Sequence, residues 1–249
     1  MPSSANTALR LGCYALPALA AAQCAPALSA LGPLRTRLLP RLSGAGRPGH
    51  VALTFDDGPD PLSTPFFLRL LDAHGIRATF FVLGSMSRRS PGLLRDMASA
   101  GHEIGVHGWH HRPLPLRGPK ATFGDLRRAR DLVADVTGEV PRLFRPPYGA
   151  MITAAHLAAS GLGPTPVLWT AWGRDWTRRA TAESVHRTVT SRLRGGGTIL
   201  LHDSDVTSAP GAWRSALGAL PRIIDTCGER GLTIGPLRSH APCRTDPDW

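Results

Sequence analysis

The sequence predicts an α/β fold, a distorted and incomplete (β/α) barrel with about seven parallel strands. Strand and helix signals alternate from His50 to Ile234, and this alternation is typical of a parallel sheet whose strands are joined by crossover helices. Polar residues also follow the ends of five of the predicted strands. In a barrel of parallel strands these ends lie on one rim, so the polar residues are expected to meet there.

The predicted strands are short runs of apolar, aromatic or β-branched residues. They span 51–55, 77–83, 102–106, 143–144, 166–170, 198–201 and 232–234. Two of the predicted helices open on a serine followed by a proline in the first turn, Ser63 with Pro65 and Ser90 with Pro91. Another has an amphipathic stripe of leucine, alanine and valine. The predicted helices span 63–74, 90–101, 122–136, 151–160, 181–193 and 212–227.

Composition places this chain of 249 residues among globular proteins, because 42% of its residues are hydrophobic. The formal net charge is +11, and Lys120 is the one lysine among many arginines. These arginines are scattered and are not interleaved with aromatic residues, so the sequence does not predict a nucleic-acid-binding surface. A basic surface would still favour anionic polymers, including an anionic cell wall.

The N-terminal segment has no charged residue between Arg10 and Arg35 and is rich in alanine. We expect residues 1–48 to be an apolar signal-like or anchor-like segment with a linker, residues 49–240 the main domain, and residues 241–249 a tail. The protein is therefore expected to be exported, or attached to a membrane and facing the cell wall. Prolines within the segment and arginines after it favour the alternative, a cytoplasmic protein.

None of the four cysteines belongs to a C-x-x-C pair, so a thiolate zinc site is not predicted. Cys227 and Cys243 could form a disulfide in an exported protein, although their spacing alone does not show it. The oligomeric state is left open by the sequence.

Two adjacent carboxylates, Asp56 and Asp57, follow the first predicted strand and precede the turn signal Gly58-Pro59. Like charges this close repel each other unless a positive group lies beside them. The simpler alternative is a solvated acidic turn. The polar residues at the other strand ends favour a functional pair.

His107 and His111 are four residues apart, and on one turn of helix this spacing places both imidazoles on the same face. Two histidines and one carboxylate are the ligands of a hydrolytic zinc site that keeps a coordination position open. His110 points elsewhere at this spacing and is expected on the surface.

Arg145 opens a rigid segment in which two prolines fix the backbone and Gly149 permits a tight turn. Its guanidinium is always charged and could hold one of the two aspartates in the ionised form. The alternative is a structural turn that carries a surface arginine.

The chain resembles the polysaccharide deacetylases of carbohydrate esterase family four, which share the nodulation-protein-B homology domain. The resemblance covers residues 50–236 and implies a distorted (β/α) barrel that removes acetyl groups from N-acetylated sugars with the help of a metal. It rests on five motifs in order: Thr54-Phe55-Asp56-Asp57-Gly58-Pro59, His107 to His111, Arg145-Pro146-Pro147-Tyr148-Gly149, Asp175-Trp176 and Leu200-Leu201-His202.

By motif position, the resemblance implies that Asp57, His107 and His111 bind a divalent metal. Zinc is the expected ion, with cobalt or nickel as alternatives. Asp56 would be the general base that takes a proton from water. Arg145 would orient this base and stabilise its charge.

The remaining motifs imply which residues form the general acid and the pocket for the acetyl group. His202 would be the general acid, and Asp175 would tune it. Trp176 and Leu200 would wall the pocket for the acetyl methyl group. The backbone N–H of Tyr148 would help to bind the oxyanion.

The implied substrate is a glycan that contains N-acetylglucosamine, such as a chitin oligomer or peptidoglycan. An O-acetyl ester such as acetylated xylan, a non-sugar amide and a non-catalytic wall-binding module remain alternatives. Family members often carry one more aspartate shortly before the Asp-Trp pair, and here residues 169–174 contain no acid. Trp172 and Arg174 could therefore reshape the substrate cleft.

Overall fold

The computed structural model describes residues 21–30 and 32–240 of the chain. At its centre lies a parallel sheet, whose strands are β1 His50–Asp56, β2 Thr79–Val82, β3 Glu103–Val106, β4 Leu143–Phe144, β5 Thr165–Pro166, β6 Ala171–Trp172, β7 Thr198–His202 and β8 Thr233–Gly235. The strand order is β5-β4-β3-β2-β1-β7-β6, and β8 pairs with the start of β1. The sheet confirms the predicted incomplete (β/α) barrel, which is open between β5 and β6.

Helices connect the strands and cover the outside of the sheet. They are α1 Gly32–Leu38, α2 Thr64–Ala73, α3 Gly84–Arg89, α4 Pro91–Ser99, α5 Pro119–Thr137, α6 Thr153–Leu162, α7 Ala182–Arg192 and α8 Trp213–Glu229. Helix α5 ends at Gly138, whose φ of 78° is the left-handed conformation typical of a C-terminal cap. Helix α7 begins with a capping box between Thr181 and Ser184.

Side chains of β1 alternate between the two faces of the sheet. Val51, Leu53 and Phe55 belong to the hydrophobic core beneath the helices. Thr54 and Asp56 point to the opposite, inner face, where both contact the same arginine. The inner face therefore carries polar groups at the carboxyl end of the strand, the position at which barrel enzymes place their sites.

The structure differs from the predicted elements at β5 and β6 and at helix α3. The strand predicted at 166–170 is divided into β5 and β6, because the backbone between them turns aside to accept hydrogen bonds from a buried arginine at Val167 and Leu168. Helix α3 was not predicted, since Gly84–Arg89 has no long apolar repeat. It forms on backbone hydrogen bonds from Gly84 and Ser85 to the loop that follows β3.

Residues upstream of the predicted domain start at 49 also pack on the barrel. Leu42 and Ser43 are buried. The N–H of Leu168 donates to Leu42 O at 2.7 Å, and the Thr198 hydroxyl donates to Gly44 O at 2.6 Å. The segment thus lies across the open side between β5 and β6, and its backbone satisfies groups that a closed barrel would pair with a further strand.

Across residues 21–30 and 32–240, no helix is both long and apolar enough to cross a membrane. Residues 1–20, which contain most of the predicted signal-like or anchor-like segment, lie outside the described residues, as does the tail at 241–249. Cys227 is buried in α8. Cys243 lies in the tail, so a disulfide between them stays a prediction.

Close packing inside the barrel predicts opposite effects for two glycine substitutions. A Cβ atom at Gly105 in β3 would lie 2.7 Å from the Phe81 ring, whereas a Cβ at Gly124 in α5 would meet no atom of the described residues within 4 Å. We expect Gly105→Ala to lower the free energy of unfolding by about 1–3 kcal/mol through overpacking. Gly124→Ala should raise it by about 0.5–1 kcal/mol through helix propensity. Urea unfolding of both variants measures this, and a Gly105→Ala variant as stable as the wild type would contradict the described packing.

Candidate active site

Asp56 and Asp57 end β1 inside the protein rather than on its surface. Asp56 is paired in register with His202 of β7 and with Phe81 of β2. Both carboxylates are buried. Asp57 has a φ of 81°, an unusual conformation for a residue with a side chain. This conformation breaks the alternation of the strand, so the neighbouring carboxylates reach different partners.

Asp56 is bound by Arg145, which follows β4. Arg145 Nη1 donates to Asp56 Oδ1 at 2.7 Å and to the Thr54 hydroxyl at 2.8 Å. Its Nη2 donates to Leu168 O at 2.9 Å, and its Cζ lies 4.0 Å from the centre of the Phe81 ring. Burial raises the pKa of the Asp56 carboxyl above its ordinary value, while the charge and hydrogen bond of Arg145 oppose that rise. The carboxylate is consequently both held in place and kept basic.

Asp57, His107 and His111 form a compact cluster whose potential ligand atoms all lie within 4.8 Å of one another. The Nε2 atoms of both histidines are 3.7 Å from Asp57 Oδ1. This buried oxygen has no hydrogen-bond partner among the residues that the structure describes. A buried carboxylate oxygen without a partner is costly, so the cluster fits a cation between the three side chains.

The protonation of the histidines also suits metal binding. His107 Nδ1–H donates to Arg145 O at 2.7 Å, which leaves the lone pair of Nε2 directed toward Asp57. Burial lowers the pKa of His107 to about 3 and also lowers the pKa of His111. Both rings are therefore neutral near pH 7, and the neutral imidazole is the form that ligates a metal.

The structure contradicts the predicted helical turn between His107 and His111. The segment is a loop, in which Gly108 has a φ of 83° and His111 a φ of 56°. Trp109 N–H donates to Asp125 Oδ2 at 2.7 Å, and this contact with α5 holds the loop. The rings still meet, with centroids 4.9 Å apart. His110 is exposed, as expected.

His202 and Asp175 face each other across the rim from the histidine cluster. Asp175 accepts hydrogen bonds from the backbone N–H of His202 at 2.7 Å and from its Nδ1 at 3.1 Å. Burial alone would lower the pKa of His202, but the charge and hydrogen bond of Asp175, with smaller contributions from Asp57 and Asp56, raise it to about 10. The imidazole is therefore protonated at neutral pH and can donate a proton.

The three remaining predicted residues lie around these groups. The Trp176 ring is 5.7 Å from that of His202, and Leu200 is buried two residues before His202 on the same face of β7. The Tyr148 ring is exposed and lies 4.5 Å from that of His111, and Tyr148 has a φ of 60°. The backbone N–H groups of Gly149 and Ala150 donate the hydrogen bonds of the turn that contains Tyr148. The described structure thus brings every predicted site residue to one rim of the barrel.

Two residues without a predicted role hold the aspartate turn. The Thr207 hydroxyl donates to Asp57 Oδ2 at 2.5 Å, so the other oxygen, Oδ1, is the one that faces the histidines. Asp203 accepts from Gly58 N–H at 3.2 Å and from the Thr64 hydroxyl at 2.5 Å. Burial raises the pKa of Asp203 to about 7, against the opposing effect of Thr64. The polar position of Asp203 after β7 was a usable signal, whereas nothing in the sequence indicates Thr207.

Comparison with known proteins supports the predicted family. A family model described as polysaccharide deacetylase matches residues 43–167. The chain is 34% identical over 171 residues to a peptidoglycan-N-acetylglucosamine deacetylase of Listeria monocytogenes, a match that covers 69% of this chain and 36% of that protein. The chain therefore spans little more than a third of this longer relative.

A shorter relative is matched along almost its whole length. The chain is 33% identical over 207 residues to a chitooligosaccharide deacetylase of Sinorhizobium fredii, covering 81% of this chain and 95% of that protein. The structure resembles that of a family 4 carbohydrate esterase from Streptomyces lividans in complex with acetate, with a TM-score of 0.68, 32% identity, and coverage of 78% of this chain and 98% of the other. This chain belongs to the polysaccharide deacetylase family, carbohydrate esterase family four.

Proposed function

We propose that the protein is a hydrolase that removes N-acetyl groups from glycans containing N-acetylglucosamine, of chitin or peptidoglycan type. The observation that carries the proposal is that the two adjacent aspartates contact different side chains. Asp56 is bound by Arg145, whereas Asp57 faces two neutral histidines. One carboxylate is thereby suited to act as a base and the other as a metal ligand. The relatives of this chain, named as deacetylases of such glycans, support the substrate class.

The metal would be held by Asp57, His107 and His111, and we propose zinc, with cobalt or nickel as substitutes. Two histidines and one carboxylate are a common ligand set of hydrolytic zinc sites. When bound, such a cation supplies Lewis acidity, which polarises an amide carbonyl and acidifies water.

The protein residues divide the remaining chemistry. Asp56 takes a proton as the water oxygen forms a bond to the acetyl carbon, and Arg145 keeps this carboxylate in position. The Tyr148 N–H donates to the developing oxyanion. His202 gives its proton to the nitrogen as the carbon–nitrogen bond breaks, so that acetate and a free amine are released.

Two apolar side chains would limit the size of the acyl group that the site accepts. Leu200 and Trp176 lie next to His202 on the inner face and would enclose a methyl group beside the reacting carbonyl. A small apolar pocket at this position favours acetyl over longer acyl groups, because a longer chain would overlap these walls.

We also propose that the protein acts outside the cytoplasm or at a membrane facing the cell wall. The uncharged, alanine-rich stretch after Arg10 supports this location. Fractionation of cells that express the full chain tests it, and recovery of the whole protein in the cytoplasmic fraction would refute it.

The first prediction concerns the metal. Asp57→Ala removes the carboxylate between the two histidines, so we expect loss of the bound metal and a fall of at least roughly 100-fold in acetate release. Calorimetric titration with Zn²⁺ and an acetate assay on N-acetylglucosamine oligomers measure both effects. Asp135→Ala, at an exposed carboxylate on α5, is the matched control. Full activity of Asp57→Ala, or of the wild type in strong chelator, would refute the mechanism.

The second prediction separates the two aspartates. Asp56→Asn keeps the shape of the side chain but cannot accept the proton, so we expect metal affinity close to that of the wild type and a fall in kcat of roughly 10²–10⁴-fold. The same titration and acetate assay apply. If this variant fails to bind metal, the two aspartates have the opposite roles.

The third prediction concerns pH. Because Asp175 raises the pKa of His202 to about 10, the protonated acid should persist through neutral pH, and kcat should fall as the pH rises toward 10. In Asp175→Asn, burial acts without the opposing charge, so the alkaline limb should move toward neutral pH by at least about one unit. The profile of kcat against pH measures the shift. If the alkaline limb of the Asp175→Asn profile is the same as that of the wild type, His202 is not the acid whose ionisation lowers kcat at high pH.

A further inference from the structure

The segment from Trp172 to Trp176 forms one side of the candidate active site. Trp172 of β6 is paired in register with Leu200 of β7. Paired residues of parallel strands point to the same face of a sheet, so Trp172 lies on the inner face together with Leu200 and His202. Substrate held against His202 would therefore lie close to Trp172.

Three tryptophans continue this surface in a row. The ring centroids are 6.0 Å apart for Trp169 and Trp172, 5.0 Å for Trp172 and Trp176, and 5.7 Å for Trp176 and His202. All three tryptophans are partly exposed. Large apolar ring faces with a polar edge suit the faces of sugar rings.

The backbone at Gly173 and at Arg174 itself places the Arg174 side chain over this row. Gly173 passes so close to the sheet that a Cβ atom would be 2.7 Å from Leu201 Cδ2 and 2.8 Å from Val185 Cγ1. Arg174 then has a φ of 53°, a left-handed conformation, and its side chain is exposed. Its Cζ is 5.3 Å from the centre of the Trp172 ring. The cation is thus held on an aromatic face at the edge of the site.

The charge of Arg174 is available to a ligand. Among the ion pairs of the described residues, none involves Arg174. Arg178 and Arg179 follow in the same loop and are exposed, and Asp175, the acid next to Arg174 in sequence, is buried against His202. A guanidinium with free donors binds a carboxylate through two parallel hydrogen bonds. The positive edge beside the tryptophan row therefore favours an anionic sugar over a neutral one.

We propose that Arg174, held on Trp172, binds a carboxylate carried by the reacting sugar or by its neighbour, so that the enzyme prefers acidic N-acetylated glycans to neutral ones. Glycans that contain N-acetylmuramic acid, whose lactyl group ends in a carboxylate, have this chemistry, and chitin oligomers lack it. This inference rests on the proposed function, because it names the substrate class of the same site. Trp172 supplies the stacking surface, and Arg174 determines the preference for charge.

The test compares two substrates that differ only in the charge of their lactyl groups. The first is a glycan fragment of alternating N-acetylglucosamine and N-acetylmuramic acid, and the second is the same fragment with each carboxylate converted to a methyl amide. The wild type should have the higher kcat/KM on the acidic fragment. Arg174→Gln should lower kcat/KM on this fragment roughly threefold to tenfold, mainly through KM, with less than about a twofold change on the amide. Added salt should reduce the preference of the wild type.

Two further variants make the result specific. Arg127→Gln, at an exposed arginine on α5, removes the same charge elsewhere and should leave the ratio of the two kcat/KM values unchanged. Trp172→Ala should raise KM on both fragments, because it removes the stacking surface as well as the support of Arg174.

The outcomes separate the inference from the proposed function. Equal losses on both fragments in Arg174→Gln, or a wild type that prefers the amide, would refute the carboxylate-binding role while acetate release still supported a deacetylase. Absence of acetate release from both fragments and from N-acetylglucosamine oligomers would refute the proposed function, and the inference with it.

Discussion

The buried guanidinium of Arg145 is the group on which the rest of the site depends. It donates to Asp56 and Thr54 of β1 and to the backbone of Val167 and Leu168 beyond β5. Its carbonyl accepts a hydrogen bond from His107, which fixes the nitrogen that this ring presents to Asp57. One residue therefore orients a base, selects the tautomer of a ligand and ties the segment after β5 to β1 in the middle of the sheet. A buried charge is tolerated only with such complete pairing.

The aspartate pair illustrates how a short sequence can bring two different functions side by side. Neighbouring residues in a regular strand point to opposite faces, and Asp56 keeps this geometry on the inner face. Asp57 adopts a left-handed conformation instead, so its carboxylate turns to the histidines after β3. Thr207 and Asp203, from the segment after β7, hold this turn. The strained backbone is thus supported from a distant part of the chain, as is common at functional sites.

Much of the fold was predictable from sequence because the buried strands β1, β2 and β7 are largely apolar runs flanked by turn signals, and the alternation of helices and strands indicates parallel pairing. The site residues were predictable as a group, since polar residues after parallel strands meet at one rim.

Other features depend on tertiary contacts. The loop from His107 to His111 was interpreted as helical from its spacing, but hydrogen bonds from Trp109 to Asp125 and from Gly84 to the carbonyl of Gly108 determine its shape. The division into β5 and β6 depends on Arg145, and Thr207 contacts Asp57 across 150 residues of chain. Local pattern contains no information about such pairs.

The segment that lies across the open side of the barrel links the architecture of the chain to its chemistry. Buried Arg35 donates to the backbone carbonyl of Trp169, and its Cζ is 5.7 Å from the centre of that ring, while Arg145 lies 5.8 Å from the same ring. The first tryptophan of the row is therefore supported by a residue that precedes the barrel. Replacement of this upstream segment would remove this support of Trp169 and would alter the row of tryptophans beside His202. Sequence variation before β1 could therefore change this aromatic surface without any change at Asp56, Asp57 or His202.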